Sequence, residues 1–274
     1  MTLQLDLDRL ADLLRAATLA EIRPRWRHLA PDMVRAKSNA ADLVTEADES
    51  AERFIRAGAA EFLPDALFVG EESVAADPAL LDRLAGAELA LVVDPVDGTG
   101  NFAAGMPLFA VMAAVVYRGE TVAGLIYDPF ADDFVLAERG AGAFVSRADG
   151  TREPLRIAEP VPLAEMVGAA SMAFVPNPGR AAVYANLAKL RTASAYRCAG
   201  HEYRAFASGH LHFVFFSKLM PWDHLAGSLI SAEAGAYGGR LDGSRYRVGP
   251  TEGQLLWAPD RDSWEALRRE VFTL

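Results

Sequence analysis

The sequence of 274 residues contains a single cysteine, Cys198. One cysteine cannot form a disulfide within the chain and cannot build a cysteine metal cluster. A thiol nucleophile is one role for this residue, and a small buried side chain is the expected one. The N-terminus carries acids where a secretory signal peptide carries lysines. Both features predict a cytoplasmic protein of a reducing compartment.

Basic residues are fewer than acidic ones, 27 against 37, and the formal net charge is −10. This balance argues against binding of a nucleic-acid polymer, because such proteins present basic surfaces to the phosphate backbone. It does not exclude an anionic substrate if bound cations reverse the local charge. No apolar run approaches the ~18 residues of a membrane span, so no membrane association is predicted. Hydrophobic residues still make up 51%, enough for a substantial core.

The pattern of helices and strands divides the chain into residues 1–155 and 156–274. In the first part, an opening helix is predicted by apolar residues at helical spacing: Leu3, Leu7, Leu10, Leu14 and Ala17. Pro24 should kink or end it, and a second helix should run from an N-cap near Asp48 to Pro64. Strand-like runs follow at 89–93, 108–117, 121–127 and 134–138. These patterns predict paired helices against a largely antiparallel sheet.

In the second part, predicted strands alternate with predicted helices. The strands are expected at 166–174, 195–198, 211–216 and 254–258, and the helices at 180–190, 201–208, 222–234 and 262–272. Such alternation is typical of an α/β arrangement. His210 and His212 are predicted to alternate within a strand and to pack rather than bind a metal.

Acidic residues stand next to turn residues at four places. These are DLVTEAD at 42–48, VGEES at 69–73, DPVDGTGN at 94–101 and PWDH at 221–224. Each has a structural explanation when taken singly: a helix N-cap for Asp223, a solvated loop for Glu71 and Glu72, a type I turn for Asp94-Pro95. Because each lies at the end of a predicted element, however, their side chains could converge.

Convergent carboxylates repel one another in a cleft of low dielectric unless cations bind between them. Their hard oxygen atoms favour magnesium, manganese or calcium over zinc. Other motifs fail on spacing. Asp94 and Asp97 are three apart, whereas haloacid-dehalogenase-type phosphatases need two. The chain also has no EF-hand loop, no GxGxxG fingerprint after a strand and no P-loop.

Four segments in order resemble the motif set of the inositol monophosphatase family: DLVTEAD, VGEES, DPVDGTGNF and WDHLAGSLISAEAG. The resemblance spans most of the chain. It implies a layered αβαβα sandwich, with an N-terminal antiparallel sheet and paired helices followed by a C-terminal α/β layer. It also implies a homodimer that hydrolyses a small phosphorylated metabolite with two or three Mg²⁺ ions, with Mn²⁺ as a substitute and Ca²⁺ or Li⁺ as inhibitors.

The resemblance assigns metal ligands by position. Glu71, Asp94 and the backbone carbonyl of Val96 match ligands of a first magnesium. Asp94, Asp97 and Asp223 match ligands of a second, so that Asp94 bridges the two. A third and weaker ion is associated with the Glu71 side.

The resemblance also implies catalytic and substrate-binding roles. Thr99, positioned by Asp48, would orient and deprotonate the attacking water together with Glu71. Gly98, Thr99, Asp97, Gly200 and His201 are the expected contacts of the substrate. If a helix begins at Gly98 and Thr99, its free N–H groups would face the phosphate. Lys37 matches a lysine near the site of family members, and a solvated lysine is the alternative.

The substrate region departs from the pattern of members that bind inositol. Gly100 replaces a second threonine, GHE at 200–202 stands in place of Gly-Thr-Ala, and Phe216 occupies the position of a glutamate, with Lys218 nearby. His201 and Glu202 either contact a different leaving group or begin a helix, and His224 is expected to be structural. Candidate substrates are inositol phosphates, fructose 1,6-bisphosphate, histidinol phosphate and adenosine 3′,5′-bisphosphate. The competing hypothesis is a non-catalytic metal- or phosphate-binding relative with a regulatory role.

Overall fold

The computed structural model describes residues 5–30, 34–36 and 43–274. The described α-helices are α1 (Leu7–Ala17), α2 (Glu46–Ala59), α3 (Glu71–Ala76), α4 (Ala79–Gly86), α5 (Thr99–Ala103), α6 (Gly179–Leu187), α7 (Ala199–Ala207), α8 (Pro221–Glu233) and α9 (Arg261–Glu270). The described strands are β1 (Val34–Ala36), β2 (Leu43–Thr45), β3 (Leu67–Gly70), β4 (Leu89–Asp97), β5 (Ala110–Tyr117), β6 (Glu120–Asp128), β7 (Asp133–Glu138), β8 (Gly142–Arg147), β9 (Arg152–Pro154), β10 (Val167–Ser171), β11 (Thr192–Ser194), β12 (Phe213–Phe216), β13 (Tyr237–Arg240) and β14 (Leu255–Ala258).

Strands β3 to β9 form one sheet in chain order. The pair β3–β4 is parallel and every other neighbouring pair is antiparallel. Side chains alternate across the sheet, as the period of two in a strand requires. Leu91 and Val93 of β4 face a core shared with Leu14 of α1, whereas Ala90 and Val92 face the core on the other side. The predicted helix pair against a largely antiparallel sheet is confirmed.

The second sheet has the order β11-β10-β12-β14-β13 and is mixed, with β10 parallel to β11 and β12 and the remaining pairs antiparallel. Helices α7 and α8 lie between the two sheets, since Tyr203 and Leu225 share a core with Val92 of the first sheet and Val214 of the second. On the outer face of the second sheet, Trp264 of α9 belongs to a separate core. The order of layers is therefore αβαβα, as the resemblance implied.

Several local predictions need correction. Thr45, not Asp48, is the N-cap of α2. Residues 195–198 form a loop rather than a strand, because the edge strand β11 ends at Ser194. His210 and His212 precede β12 and do not alternate within it. His212 does have a packing role, since its Nδ1 accepts the N–H of Val167 at 3.1 Å.

Other predictions can be compared with the described residues only in part. The first helical segment continues as a π-helix from Thr18 to Ile22 and ends two residues before Pro24. Leu3, Lys37 and Asp42 lie outside the described residues. The division of the chain after residue 155 stays a prediction. Across residues 5–30, 34–36 and 43–274, no helix is both long and apolar enough to cross a membrane.

Candidate active site

Three aspartates, of which Asp94 and Asp97 are buried and Asp223 is partly buried, meet between the end of β4 and the start of α8. Asp94, Asp97 and Asp223 each offer a carboxylate oxygen, and these oxygens lie within 4.8 Å of one another. They line a cavity of about 240 Å³, to which Glu71 at the start of α3 and Thr99 at the start of α5 also contribute. The structure thus brings together predicted site residues from three distant segments of the sequence.

An irregularity in β4 explains how Asp94 and Asp97 reach the same side. Residues three apart in a regular strand point to opposite faces. Here Asp94 pairs with Met112 and Asp97 with Ala110, so three steps on β4 match two on β5. Such a bulge shifts the alternation by one residue. The Asp94-Pro95 segment is therefore part of a bulged strand and not a type I turn.

Asp223 lies in the first turn of α8 but is not its N-cap. Met220 is the N-cap and Pro221 is the first helical residue, a position where the missing N–H of proline costs nothing. Asp223 is consequently the third residue of the helix. Its carboxyl group is free of a capping role and lies close to the carboxyl groups of Asp94 and Asp97.

The carboxyl groups are in an environment that disfavours their charge. Burial, followed by repulsion from Glu71, Asp97 and Asp223, raises the pKa of Asp94 well above its usual value. Burial and the repulsion of Glu71 and Asp97 do the same to the pKa of Asp223. A bound divalent cation would remove this repulsion, and the donor set of carboxylate and carbonyl oxygens fits Mg²⁺ or Mn²⁺.

Asp97 is held by hydrogen bonds from residues 198–200, which lie about 100 positions further along the sequence. Its carboxylate accepts the N–H of Gly200 at 2.6 Å, the N–H of Ala199 at 3.1 Å and the thiol of Cys198 at 2.9 Å. Burial raises the pKa of the thiol well above its usual value. Cys198 is therefore a buried donor to Asp97, as expected of a small buried residue, and not a thiolate nucleophile.

Thr99 and Asp48 are in direct contact. The Thr99 hydroxyl lies 3.1 Å from Asp48 Oδ1 and 3.0 Å from the carbonyl oxygen of Val96. The other oxygen of Asp48 accepts the N–H of Thr45 at 2.9 Å in a capping box at the start of α2. This second bond fixes the carboxylate, so that Asp48 can in turn orient the Thr99 hydroxyl.

A sharp change of direction follows Asp97. Gly98 has φ = 88° and is the N-cap of α5. A Cβ atom there would lie 3.1 Å from both Cys198 Cβ and the carbonyl oxygen of Leu108. Glycine fits here because it has no Cβ, so that it adopts the left-handed backbone readily and allows the close contact.

Glu71 is placed by a residue that the sequence patterns did not single out. Glu52 of α2 is buried, and its carboxylate accepts the N–H groups of Glu72 at 2.7 Å and Ser73 at 2.8 Å. These are free N–H groups of the first turn of α3. Glu52 thus caps the helix that begins at Glu71. A glutamate six residues into the preceding helix gave no local signal of this role.

Comparison with known proteins agrees with this geometry. The model of the inositol monophosphatase family matches residues 7–268. The chain belongs to the inositol monophosphatase family. An inositol-1-monophosphatase of Mesorhizobium japonicum is 33% identical over 211 residues, 74% of each chain. A fructose-1,6-bisphosphatase/inositol-1-monophosphatase of Thermotoga maritima is 31% identical over 204 residues, 74% of this chain and 73% of the relative.

A solved structure shares the fold over almost the full length. The extragenic suppressor protein suhB from Bartonella henselae has a TM-score of 0.81 at 26% identity, covering 97% of both chains. The family match and the curated relatives identify the protein as a phosphatase, a phosphoric monoester hydrolase by class, and the solved structure shows the layered α/β fold.

Within this family fold, two predicted substrate contacts are absent from the residues that line the cavity, although their neighbours Ala199 and Glu202 are among them. His201 is part of α7, and its Nε2 lies 3.1 Å from the carbonyl oxygen of Phe109. Gly200 contributes its N–H to Asp97. A Cβ on Gly200 would lie 2.8 Å from Ala110 Cβ, so the space beside it is already filled. Neither residue belongs to the set that lines the cavity among the described residues.

His224 has the structural role expected for it. The Nε2–H group donates to the carbonyl oxygen of Lys218 at 2.6 Å, and Nδ1 accepts from the Tyr203 hydroxyl at 3.1 Å. Burial lowers the pKa of His224 to about 4, so the ring is neutral near pH 7. Its contacts hold the segment before α8 and with it Asp223.

Two further polar residues fix the loop at 195–198. The Asn101 side-chain amide donates to the carbonyl oxygens of Tyr196 at 2.8 Å and Leu108 at 2.9 Å. Glu202 accepts the N–H groups of Tyr196, at 2.8 Å, and Arg197. Asn101 belongs to the motif DPVDGTGN, but the Tyr196 carbonyl that it contacts lies 95 positions further along the sequence. Only the folded chain reveals this connection.

Proposed function

We propose that the protein hydrolyses a small phosphate monoester in a Mg²⁺-dependent reaction. The observation that supports this best is the cluster of Asp94, Asp97 and Asp223 beside the Thr99–Asp48 pair. The carboxylates provide ligands for a cation, and the Thr99 hydroxyl, held by Asp48, can orient a water molecule. A phosphate ester that enters the cavity meets both groups.

Each ligand has a place in the proposed reaction. Glu71, Asp94 and the Val96 carbonyl would hold one ion, and Asp94, Asp97 and Asp223 a second. When bound, magnesium supplies positive charge to the phosphate oxygens and lowers the pKa of water. The Val96 carbonyl oxygen lies 3.0 Å from the Thr99 hydroxyl. Because a carbonyl oxygen has two lone pairs, it keeps one for a cation even when it accepts that hydroxyl.

The proposed path of the proton starts at the attacking water. Thr99 would orient this water through its hydroxyl, and Asp48 would orient Thr99. Glu71, on the same cavity, would accept the proton. The products are inorganic phosphate and an alcohol, and no covalent bond to the protein is formed in this scheme.

The experiment that tests this function is a phosphate-release assay of the full-length protein with Mg²⁺ or Mn²⁺. The panel contains inositol 1-phosphate, fructose 1,6-bisphosphate, histidinol phosphate and adenosine 3′,5′-bisphosphate. Asp94→Asn should lower kcat at least about a thousandfold, because it removes a charge that both ions would share. Asp65→Asn, at an exposed position, is the matched control and should keep the activity.

Two outcomes contradict the proposal: no ester is hydrolysed with either cation, or Asp94→Asn retains the full rate. Binding of metal and phosphate without hydrolysis would instead support the regulatory alternative. Inhibition by Ca²⁺ or Li⁺ and assembly as a homodimer stay predictions, which inhibition curves and sedimentation measurements would test.

A further inference from the structure

The cavity that contains the carboxylate cluster also has two cationic side chains, Arg197 and Lys218. Neither forms an ion pair within the part of the chain that the structure describes. Two cations beside so many carboxylates are expected to pair with them unless geometry holds them apart. Both side chains are therefore available to an anion that enters the cavity.

Lys218 is held on the wall formed by the second sheet. Its Nζ lies 5.0 Å from the ring centroid of Phe174, a cation–π contact. The Ser217 hydroxyl connects the segments that follow β12 and β10. It donates to the Ser171 carbonyl at 2.6 Å and accepts the Phe174 N–H at 3.3 Å. Ser171 and Phe216 pair at the carboxyl ends of the parallel strands β10 and β12. Phe174 and Lys218 therefore lie just beyond the ends of two strands of the second sheet, whereas Asp94 and Asp97 lie in a strand of the first.

The same wall offers no acceptor for a sugar hydroxyl at Phe216. Its ring is buried and stacks on Tyr203 with a centroid distance of 4.8 Å. Phe174, by contrast, is 50% exposed. This side of the cavity presents an aromatic surface with a positive charge. An anionic group gains a charge-assisted hydrogen bond from such a wall, which is stronger than the bond that a neutral hydroxyl would accept.

Arg197 is placed by the loop that Asn101 and Glu202 fix. Its backbone is left-handed, with φ = 56°. Its guanidinium fills the space beside Gly100, where a Cβ atom would lie only 2.6 Å from Nη2. Gly100 thus leaves room for the guanidinium, and a larger residue there would displace it.

We propose that the substrate carries a second anionic group besides the phosphate that is hydrolysed, and that Lys218 and Arg197 bind it. The inference rests on the proposed phosphatase activity and narrows its substrate class to bisphosphates or phosphorylated carboxylates. The metal ligands hold the reacting phosphate, and the second group lies toward Phe174 and Lys218.

The test compares matched ester pairs with the full-length protein and Mg²⁺. Two pairs differ by a phosphate: fructose 1-phosphate with fructose 1,6-bisphosphate, and adenosine 3′-phosphate with adenosine 3′,5′-bisphosphate. One pair, glycerol 3-phosphate with 3-phosphoglycerate, differs by a carboxylate. In either the phosphate pairs or the carboxylate pair, we expect kcat/KM of the ester with two anionic groups to be at least about tenfold higher than that of its partner. The difference should come mainly from a lower KM. The pair that shows the preference identifies the second group as phosphate or carboxylate.

Variants test whether these two residues are responsible. Lys218→Met keeps the apolar stem against Phe174 and removes the charge, and Arg197→Gln keeps a Cβ at the left-handed position. Each should lower the two-anion preference about tenfold. Lys189→Met and Arg191→Gln, which lie outside the cavity, are the matched controls and should retain the preference.

Calorimetric titration of the same pairs into a Thr99→Ala protein with Mg²⁺ measures binding independently of turnover. The two-anion member should bind about tenfold more tightly, and Lys218→Met should remove the difference. If single phosphates react and bind as well as two-anion esters, or if Lys218→Met weakens both members equally, the inference is wrong while the phosphatase proposal stands. If no member of any pair is hydrolysed but inositol 1-phosphate or histidinol phosphate is, the inference is also wrong. If no ester of either panel is hydrolysed, the phosphatase proposal fails.

Discussion

At the scale of single residues, Glu202 is the most unusual group near the cavity. It is 1% exposed, and burial raises the pKa of its carboxyl group to about 8. The N–H groups of Tyr196 and Arg197 oppose this shift only in part. The carboxyl group is therefore protonated near pH 7, although it fixes the loop that carries Arg197. A buried acid can serve a structural purpose without being a catalyst.

This shift predicts a dependence of stability on pH. The pKa of Glu202 is higher in the folded protein, about 8 against 4.5 for the ordinary group. Its stabilising protonation is fully present below about pH 4.5 and is lost as the pH rises through about 8. Relative to Glu202→Gln, the wild-type free energy of unfolding should fall between pH 6 and 8 by up to about 1.4 kcal/mol per pH unit.

Urea denaturation of wild type and Glu202→Gln across this range measures the difference. Groups that titrate in both proteins cancel in the comparison. Glu159→Gln, at an exposed position, should give a curve parallel to the wild type. Parallel curves for Glu202→Gln as well would show that Glu202 does not titrate in this range.

At the scale of elements, helix α8 is the part that joins the two sheets at the active site. It carries Asp223 in its first turn and packs on β6 at Gly124. A Cβ on Gly124 would lie 2.8 Å from Ala226 Cα and 2.9 Å from its carbonyl oxygen. Backbone atoms cannot rotate away as a side chain can. The missing side chain at Gly124 therefore determines how closely the helix approaches the sheet.

Gly124→Ala should consequently displace α8 and lower both stability and activity. We expect a loss of about 1 to 3 kcal/mol in the free energy of unfolding, typical of an overpacked core. A reduced kcat should accompany it, because Asp223 moves relative to Asp94. Gly86→Ala, at the end of α4 with nothing within 4 Å of the added atom, is the control. An unchanged melting temperature and kcat in Gly124→Ala would contradict the packing described for α8.

At the scale of the whole molecule, the αβαβα layers carry buried negative charge at their centre. The acidic cluster is contributed by the first sheet and by a helix of the middle layer, so cation binding requires the folded arrangement. A ligand that binds only the folded state raises stability by RT ln(1 + [L]/Kd). Mg²⁺ is therefore expected to stabilise the entire protein and not only the site.

Thermal unfolding with and without Mg²⁺ checks this expectation. At a hundred times Kd the gain is about 2.7 kcal/mol, and the melting temperature should rise on the order of 5 °C. Chelation should reverse the rise, Asp94→Asn should abolish it, and Asp65→Asn should preserve it. An equal rise in Asp94→Asn, or with NaCl at matched ionic strength, would show that the effect is general screening.

Residue identity and local periodicity were sufficient for the main features of the fold. Amphipathic spacing predicted α1, apolar runs predicted β4 to β7, and the alternation after residue 155 predicted a second α/β layer. The acidic motifs indicated the carboxylates that meet at the cavity. Local sequence patterns gave a wrong prediction where an aspartate near the start of a helix can be either its N-cap or its third residue. Asp48 and Asp223 resemble N-caps in sequence, but each is the third residue of its helix.

Tertiary structure alone decided how these residues work together. The bulge in β4 brings Asp94 and Asp97 to one side, and Cys198 reaches Asp97 across 101 positions of sequence. Arg197 and Lys218 share a cavity because the loop after β11 and the segment after β12 both border it in the folded chain. Hydrophobic periodicity reports which face of an element is buried. It carries no information about which distant segment covers that face, and this pairing determines both the metal ligands' geometry and the wall that the substrate meets.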